Sequence, residues 1–387
     1  MTYRRTHNRL SRETSNTIPA LRSVTYIHTT HVGINNLPLL RYSKSTSKFK
    51  KSGSGNLKWG MKIAQGPTLP AGVMCYVDLT GFLHRLAYMP GPHGIDPRQV
   101  TSKVTGEPTW GIVGTFNQLN TLAKQRPGRV IGFADSSQDG FRAELLPGYK
   151  RKSGSPYLRQ QLERLAQCLP HLGMAVVGAH NEFPGMEAED LIACAVKSAR
   201  EPAVIVSYDK DLLQLVKGNV SHYNPQKKHL VTPASISGYL QQGFLPTKAE
   251  LAGPDMAVFL ACTGDDSDGI RPIGGVGPVT LGQYYERLPK GLSNPAKIDA
   301  LRAIDLEVKK DPGKVADWGQ AQINLQATDL DTGRQRDINL GTIPEPRPNK
   351  EAFRRVLEGL TMQSFLQQYD RWFAPFEAHN QPSLSMA

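Results

Sequence analysis

Three short apolar runs in this chain each lead directly into an aspartate: Cys75-Tyr76-Val77-Asp78, Val130-Ile131-Gly132-Phe133-Ala134-Asp135 and Val204-Ile205-Val206-Ser207-Tyr208-Asp209. Such β-rich runs, separated by helical patterns, signal a parallel α/β sheet. The spacing predicts strands over Met74 to Leu79, Arg129 to Phe133, Met174 to Ala179, Ala203 to Ser207 and Val220 to Tyr223, with helices over Leu158 to Leu169 and Ala188 to Ala199. In an open parallel sheet, ligands sit beyond the carboxyl ends of the strands, so the three acids are expected to converge on one crevice. A single strand-end aspartate is commonly no more than a helix N-cap. Three in one chain, joined by the clusters below, make coincidence a weaker reading.

A second cluster, Glu187-Ala188-Glu189-Asp190, precedes an apolar helical run, so Glu187 and Asp190 share a face at its first turn. Acids there also complement the helix dipole, the plainer explanation when that cluster is taken alone. Asp209-Lys210-Asp211 adds a carboxylate after the strand, and Gly264-Asp265-Asp266-Ser267-Asp268-Gly269 supplies an acidic loop without the closing Glu of a calcium hand. Gathered together, these groups would repel one another unless cations neutralised them. An all-oxygen donor set with neither His nor Cys at ligand spacing points to magnesium, or manganese, rather than zinc. Many acids around a pair of such ions is an arrangement that performs in-line phosphodiester cleavage.

Charge is unevenly placed over the 387 residues, whose formal net charge is +12. Residues 1–65 carry twelve Lys and Arg against Glu13 alone, a net +11 that leaves the body nearly neutral. Residues 1–70 are polar and aperiodic and read as a disordered basic arm or a leader; scarce acid with Arg and Ser also fits an organelle transit peptide. Cys75, Cys168, Cys194 and Cys262 are far apart in apolar stretches, so they are expected to be buried thiols rather than a disulfide framework or zinc site. No apolar run approaches the roughly 18 to 20 residues a membrane helix needs. After about Pro254 the pattern turns helical with a Gly-rich turn, and from Lys309 it is mixed, ending in a helix near Glu351 to Phe373.

These motifs, in this order, resemble the 5′ nuclease family: the 5′ exonuclease domain of DNA polymerase I, bacteriophage 5′ exonucleases and flap endonucleases. The resemblance covers roughly Val73 to Phe373. Glu187-Ala188-Glu189-Asp190 is similar to the family's Glu-Ala-Asp-Asp, Ser207-Tyr208-Asp209-Lys210-Asp211-Leu212 to its Ser-x-Asp-Lys-Asp-Leu, and Gly264-Asp265-Asp266-Ser267-Asp268 to its Gly-Asp-x-x-Asp. Glu189 stands where Asp is usual, and Gly269 where Asn is usual.

The resemblance implies a PIN-like parallel sheet flanked by helices and a C-terminal helix-hairpin-helix subdomain, giving a catalytic domain over 71–253, a hairpin subdomain over 254–310 and an extension over 311–387. It implies metal binding by Asp78, Asp135, Glu187, Glu189, Asp190, Asp209, Asp211, Asp265 and Asp268, with Lys150 polarising the scissile phosphate alongside Asp78, Asp135 and Asp209. It further implies DNA contacts from Arg85, Tyr88, Arg142, Tyr149, Lys150, Arg151, Lys152, Gly275 and Gly277, with Tyr88 stacking on a base and Arg142 holding the strand. Two or more magnesium ions and a potassium ion in the hairpin follow from the same resemblance. The expected partner is DNA with 5′ ends, flaps or nicks, bound by a monomer in the cytoplasm of a bacterium or a phage-infected cell. The alternatives are an RNase acting on primers or hybrids, and a non-cleaving DNA-binding protein.

Overall fold

The computed structural model describes residues 69–88, 100–150, 156–331 and 338–379. The expected arm, apart from Leu69 and Pro70, lies outside these residues, as do Arg151 and Lys152. All the described residues fall in one compact unit.

Six strands form one sheet: β1 (Met74–Asp78), β2 (Val130–Phe133), β3 (Ala175–Val177), β4 (Ala203–Val206), β5 (Val220–Asn224) and β6 (His229–Val231), in the order β3-β2-β1-β4-β5-β6. The first five are parallel, and β6 returns antiparallel to β5. That last strand was not expected from the sequence; Asn224-Pro225-Gln226 supplies the turn that folds it back. The chain moves outward from β1 through β2 and β3, then re-enters on the other side of β1 as β4. The order therefore reverses between β1 and β4, and a crevice opens beyond their carboxyl ends. Asp78 and Asp209 flank it.

Strand side chains alternate between the faces, as a pleat requires. Cys75, Val77, Val204 and Val206 join one core with α1 (Leu79–Ala87), α2 (Trp110–Ala123) and α4 (Pro156–Cys168). Tyr76, Ile131, Phe133 and Ile205 face the opposite way into a core closed by α5 (Ala188–Ser198). Between β2 and α4 lies the single helical turn of α3 (Phe141–Leu145). The four cysteines are buried and free.

A third core is built by α6 (Ile236–Gly243), α7 (Asp255–Thr263), α8 (Pro278–Tyr285), α9 (Asn294–Lys309) and α10 (Trp318–Thr328). It also takes in Leu213, Val216 and Val231 from the sheet side, so the helical layer is welded to the strands. The C-terminal helix expected over Glu351 to Phe373 is instead three: α11 (Lys350–Gly359), α12 (Gln363–Leu366) and α13 (Tyr369–His379). Thr361 breaks the run by taking a left-handed φ of 55°. The fold-back brings Phe353, Phe365 and Trp372 onto Phe116 of α2, where aromatic burial outweighs continuing one straight helix.

Candidate active site

Each expected acid is placed by a local device. Asp78 ends β1 and caps α1: its Oδ1 accepts from the Gly81 N–H at 2.7 Å, and its Oδ2 accepts from the Ser207 hydroxyl at 2.7 Å. The same Ser207 oxygen accepts the Asp209 N–H at 2.9 Å, so one hydroxyl ties the ends of β1 and β4 together. Asp135 is held on three sides. Its N–H donates to Thr80 Oγ1 at 2.9 Å, its carbonyl accepts from Arg159 at 2.9 Å, and its Oδ1 accepts the Ala188 N–H at 2.8 Å. Arg159 also reaches the Ala179 carbonyl at 2.6 Å, clamping the ends of β2 and β3. Glu187 and Asp190 form a reciprocal capping box at the start of α5.

Ser207, Thr80 and Arg159 were not among the expected site residues. The Ser-x-Asp spacing of Ser207 and Asp209 is a legible turn signal, whereas nothing local marks Arg159.

Among the described residues, three cations sit inside the acidic cluster. Arg142 is only 2% exposed and forks onto Asp190 with two bonds of 2.7 and 2.8 Å; it lies 3.2 Å from Glu189 and 3.7 Å from Glu187. Its Nε donates to the Ala327 carbonyl at 2.7 Å, at the end of α10. The guanidinium expected to hold a DNA strand is thus buried here and engaged in positioning carboxylates. Tyr149 was likewise expected at the DNA. It is buried, and its hydroxyl donates to Glu187 at 3.2 Å rather than facing solvent. Asp190 faces the same competition, since both its oxygens accept from Arg142 and Oδ2 also accepts the Glu187 N–H at 3.1 Å. These bonds leave Asp190 an outer role, orienting Arg142 and Glu187.

Lys150 has a left-handed φ of 42° and its ammonium donates to Glu187 at 2.6 Å while 43% of its side chain stays exposed. Lys210 bridges the third pair: its ammonium binds Asp265 Oδ2 and lies 3.3 Å from Asp211 Oδ1. The acidic loop is braced against the Lys150 turn, where the Lys150 N–H donates to the Asp268 carbonyl at 3.1 Å. Gly269 has φ +73°, and a Cβ there would come within 2.6 Å of the Gly148 carbonyl oxygen. That approach excludes any side chain at the position.

Glu189, Asp209 and Asp211 form an open triad, with one carboxylate oxygen from each lying within 4.8 Å of the others, although Arg142 touches Glu189 and Lys210 touches Asp211. Asp211 Oδ1 is buried and receives no aligned hydrogen bond, the lysine contact notwithstanding. A buried carboxylate oxygen without a donor, in a set made wholly of oxygens, fits a hard divalent cation.

Electrostatics agree with the geometry. Burial pushes Asp78 up to about 7, with Asp209 and Asp135 adding repulsion against the pull of Gly81 and Ser207. Burial and then Asp209 push Asp211 up to about 8, and burial brings Asp268 to about 6. Burial raises Glu189 well above the usual carboxylate range despite Arg142. Glu187 goes the other way: Lys150 and Arg142 outweigh burial and hold it low.

The sign of the resulting pH dependence follows. Unfolded carboxyls ionise near 3.8, whereas Asp78, Asp268 and Asp211 do so at about 7, 6 and 8, so the native metal-free protein binds more protons between these limits. This contribution to stability is present below the unfolded value and is lost as pH rises through 6 to 8. A divalent ion competes with those protons. The melting temperature gained on adding magnesium is expected to be small at an acidic pH near the Asp268 value of about 6 and large above the Asp211 value of about 8. Thermal melts across that range check it, and a gain independent of pH would contradict the arrangement.

The hairpin lies between α7 and α8. Gly274 and Gly275 both take positive φ, 74° and 67°, while Ile273 and Val276 are buried anchors on either side. Gly277 precedes Pro278, which opens α8, so the backbone N–H groups of the turn reach solvent beside a helix start. Arg85 and Tyr88 remain exposed on α1, Tyr88 at 54%.

Residues 74–240 match the family model described as 5′-3′ exonuclease, N-terminal resolvase-like domain. A 5′-3′ exonuclease of Aquifex aeolicus is 28% identical over 287 residues, covering 72% of this chain and 90% of the relative. DNA polymerase I of Pseudomonas aeruginosa is 27% identical over 304 residues, covering 75% of this chain but 30% of the polymerase. This chain thus spans less than a third of the polymerases it matches. Among solved structures, human GEN1 in complex with Holliday junction DNA superposes with a TM-score of 0.51 at 14% identity, covering 80% of this chain and 72% of that one, a likeness of fold. The fold is a PIN-like, mostly parallel sheet flanked by helices, with the acidic crevice at its carboxyl edge. Over residues 74–240 the chain is thus similar to the 5′-3′ exonuclease N-terminal domain, and most of its length aligns with a bacterial 5′-3′ exonuclease.

Proposed function

We propose that this protein is a metal-dependent 5′ nuclease that hydrolyses phosphodiester bonds near the 5′ end of DNA. The observation that carries the reading is the open triad of Glu189, Asp209 and Asp211 beside the half-exposed Lys150, at the carboxyl edge of a sheet of that family. Asp78 and Asp135, fixed at the neighbouring strand ends, extend the donor set across the crevice, and Asp265 and Asp268 close it from the loop. Magnesium suits these hard oxygens, with manganese as a substitute; when bound, such ions acidify a water and neutralise charge on the phosphate.

The remaining work falls to the chain itself. Glu187 pins the Lys150 ammonium at the mouth of the site, where it would stabilise charge on a phosphate oxygen. Exposed Tyr88 offers a ring face to a terminal base and Arg85 a charge to the strand. The Gly274 to Gly277 turn would hold the duplex backbone through N–H groups. A potassium ion there rests on the resemblance alone; the Gly275 carbonyl already faces the Lys309 ammonium at 3.4 Å. Among the described residues no helix is long and apolar enough to cross a membrane. With bacterial relatives, we place the protein in the cytoplasm, acting as a monomer.

The test is a product ladder from 5′-labelled flap, nicked and blunt duplexes, with matched DNA and RNA 5′ strands. Magnesium-dependent shortening of the DNA strand, abolished by chelation, is expected. Cleavage confined to RNA would move the assignment to a ribonuclease; binding without any change in substrate length would leave a structural DNA-binding protein.

A further inference from the structure

Next to its densest acidic cluster, the chain has a long stretch without a single acid: residues 212–249, between Asp211 and Glu250, contain neither Asp nor Glu. The stretch includes β5, the turn, β6 and α6. Register places Tyr223 level with Val206, so the turn after Asn224 leaves the sheet on the same edge as Ser207 and Asp209. Lys227, Lys228 and His229 are exposed on it, and Lys228 takes a left-handed φ of 48°.

The turn is braced from both sides. Arg85 of α1, another acid-free segment, donates to Gln226 at 2.9 Å. On the other side, the Lys227 ammonium lies 5.8 Å from the Tyr239 ring centroid and donates to its hydroxyl at 3.3 Å, while His229 stacks on the same ring at 5.3 Å. Among the described residues, Arg85, Lys227 and Lys228 have no carboxylate partner. Lys197 and Lys217, by contrast, both bind Asp331, at 3.0 and 3.1 Å.

We propose that the β5–β6 turn, with Lys227 and Lys228 at its tip and Arg85 beside it, is a landing site for the phosphate backbone of the duplex part of the substrate. Positive charge held in place without a carboxylate partner matches a polyanion, and association there releases counterions. The Tyr239 ring carries His229 and Lys227, which favours backbone contact over base stacking at this place. Exposed Tyr88 and Lys150 mark the nearby region suited to the single-stranded end. The acid-free turn therefore offsets, for an approaching polyanion, the repulsion of the acidic centre on the same edge.

The inference rests on the reading of this chain as acting on DNA, and its test separates the two. Binding of the full chain to a blunt duplex and to a single strand of equal length is measured in calcium across a salt series, with strand lengths checked on gels. The double variant Lys227→Gln, Lys228→Gln is expected to weaken duplex binding by about tenfold or more and to flatten the log–log salt slope by about two, leaving single-strand binding unchanged. The matched double variant Lys197→Gln, Lys217→Gln removes the same charge from lysines bound to Asp331 and is expected to leave the slope unaltered. An unchanged duplex slope in the Lys227, Lys228 variant, or a loss confined to the single strand, overturns this site and leaves the nuclease reading standing. Failure of the unsubstituted chain to bind duplex at all overturns both.

Discussion

Asp209→Ala is expected to lower magnesium-dependent cleavage of a 5′-labelled duplex by roughly three orders of magnitude or more, as for loss of a ligand from a catalytic metal site. Asp209 belongs to the open triad, and its charge also acts on Asp78, Glu189, Asp211 and Asp268. A second measurement separates this role from simple damage. Removing one of several mutually repelling acids should raise, or leave unchanged, the melting temperature of the metal-free protein at alkaline pH while the magnesium-induced gain shrinks. Retained cleavage, or a metal-free protein much less stable than the unsubstituted one, would count against Asp209 as a ligand.

The second large effect concerns Arg142. Replacing it with Met leaves the partly buried Glu189 and Asp190 without their guanidinium and the Ala327 carbonyl without its donor. Breaking a buried ion pair from one side costs about 3 to 5 kcal/mol, which for a chain of this size is a fall of roughly 4 to 8 °C in the melting temperature. Arg142→Lys is expected to fall between, since one ammonium keeps the charge but cannot make the fork and the Nε bond together. Melting of the metal-free proteins measures both. An unchanged melt for Arg142→Met would remove Arg142 from its central place.

These two residues show how far the sequence carried. Asp209 was legible because its signals are local: an apolar strand, a Ser-x-Asp turn and an aspartate beyond the strand end. The positions of the five parallel strands and the helical start at Ala188 were legible for the same reason. The role of holding the strand came to Arg142 from the family resemblance, and nothing in the residues around it in sequence speaks for another. Its partners lie 48 residues away at Asp190 and 185 away at Ala327, and no local pattern announces them. The break in the C-terminal helices was hidden similarly, since Phe353 and Trp372 are turned by Phe116, far earlier in the chain.

By itself the sequence determined a parallel α/β sheet, the gathering of its acids at one edge and their demand for cations, because strand propensity, capping and charge count act over a few residues. The tertiary structure decided the division of those acids. Arg142 takes Asp190 and touches Glu189, Lys150 takes Glu187, Lys210 takes Asp265 and touches Asp211, and Glu189, Asp209 and Asp211 still bring one oxygen each to a common point. That division depends on which charges become buried beside which, and burial is fixed only when segments distant in sequence pack together.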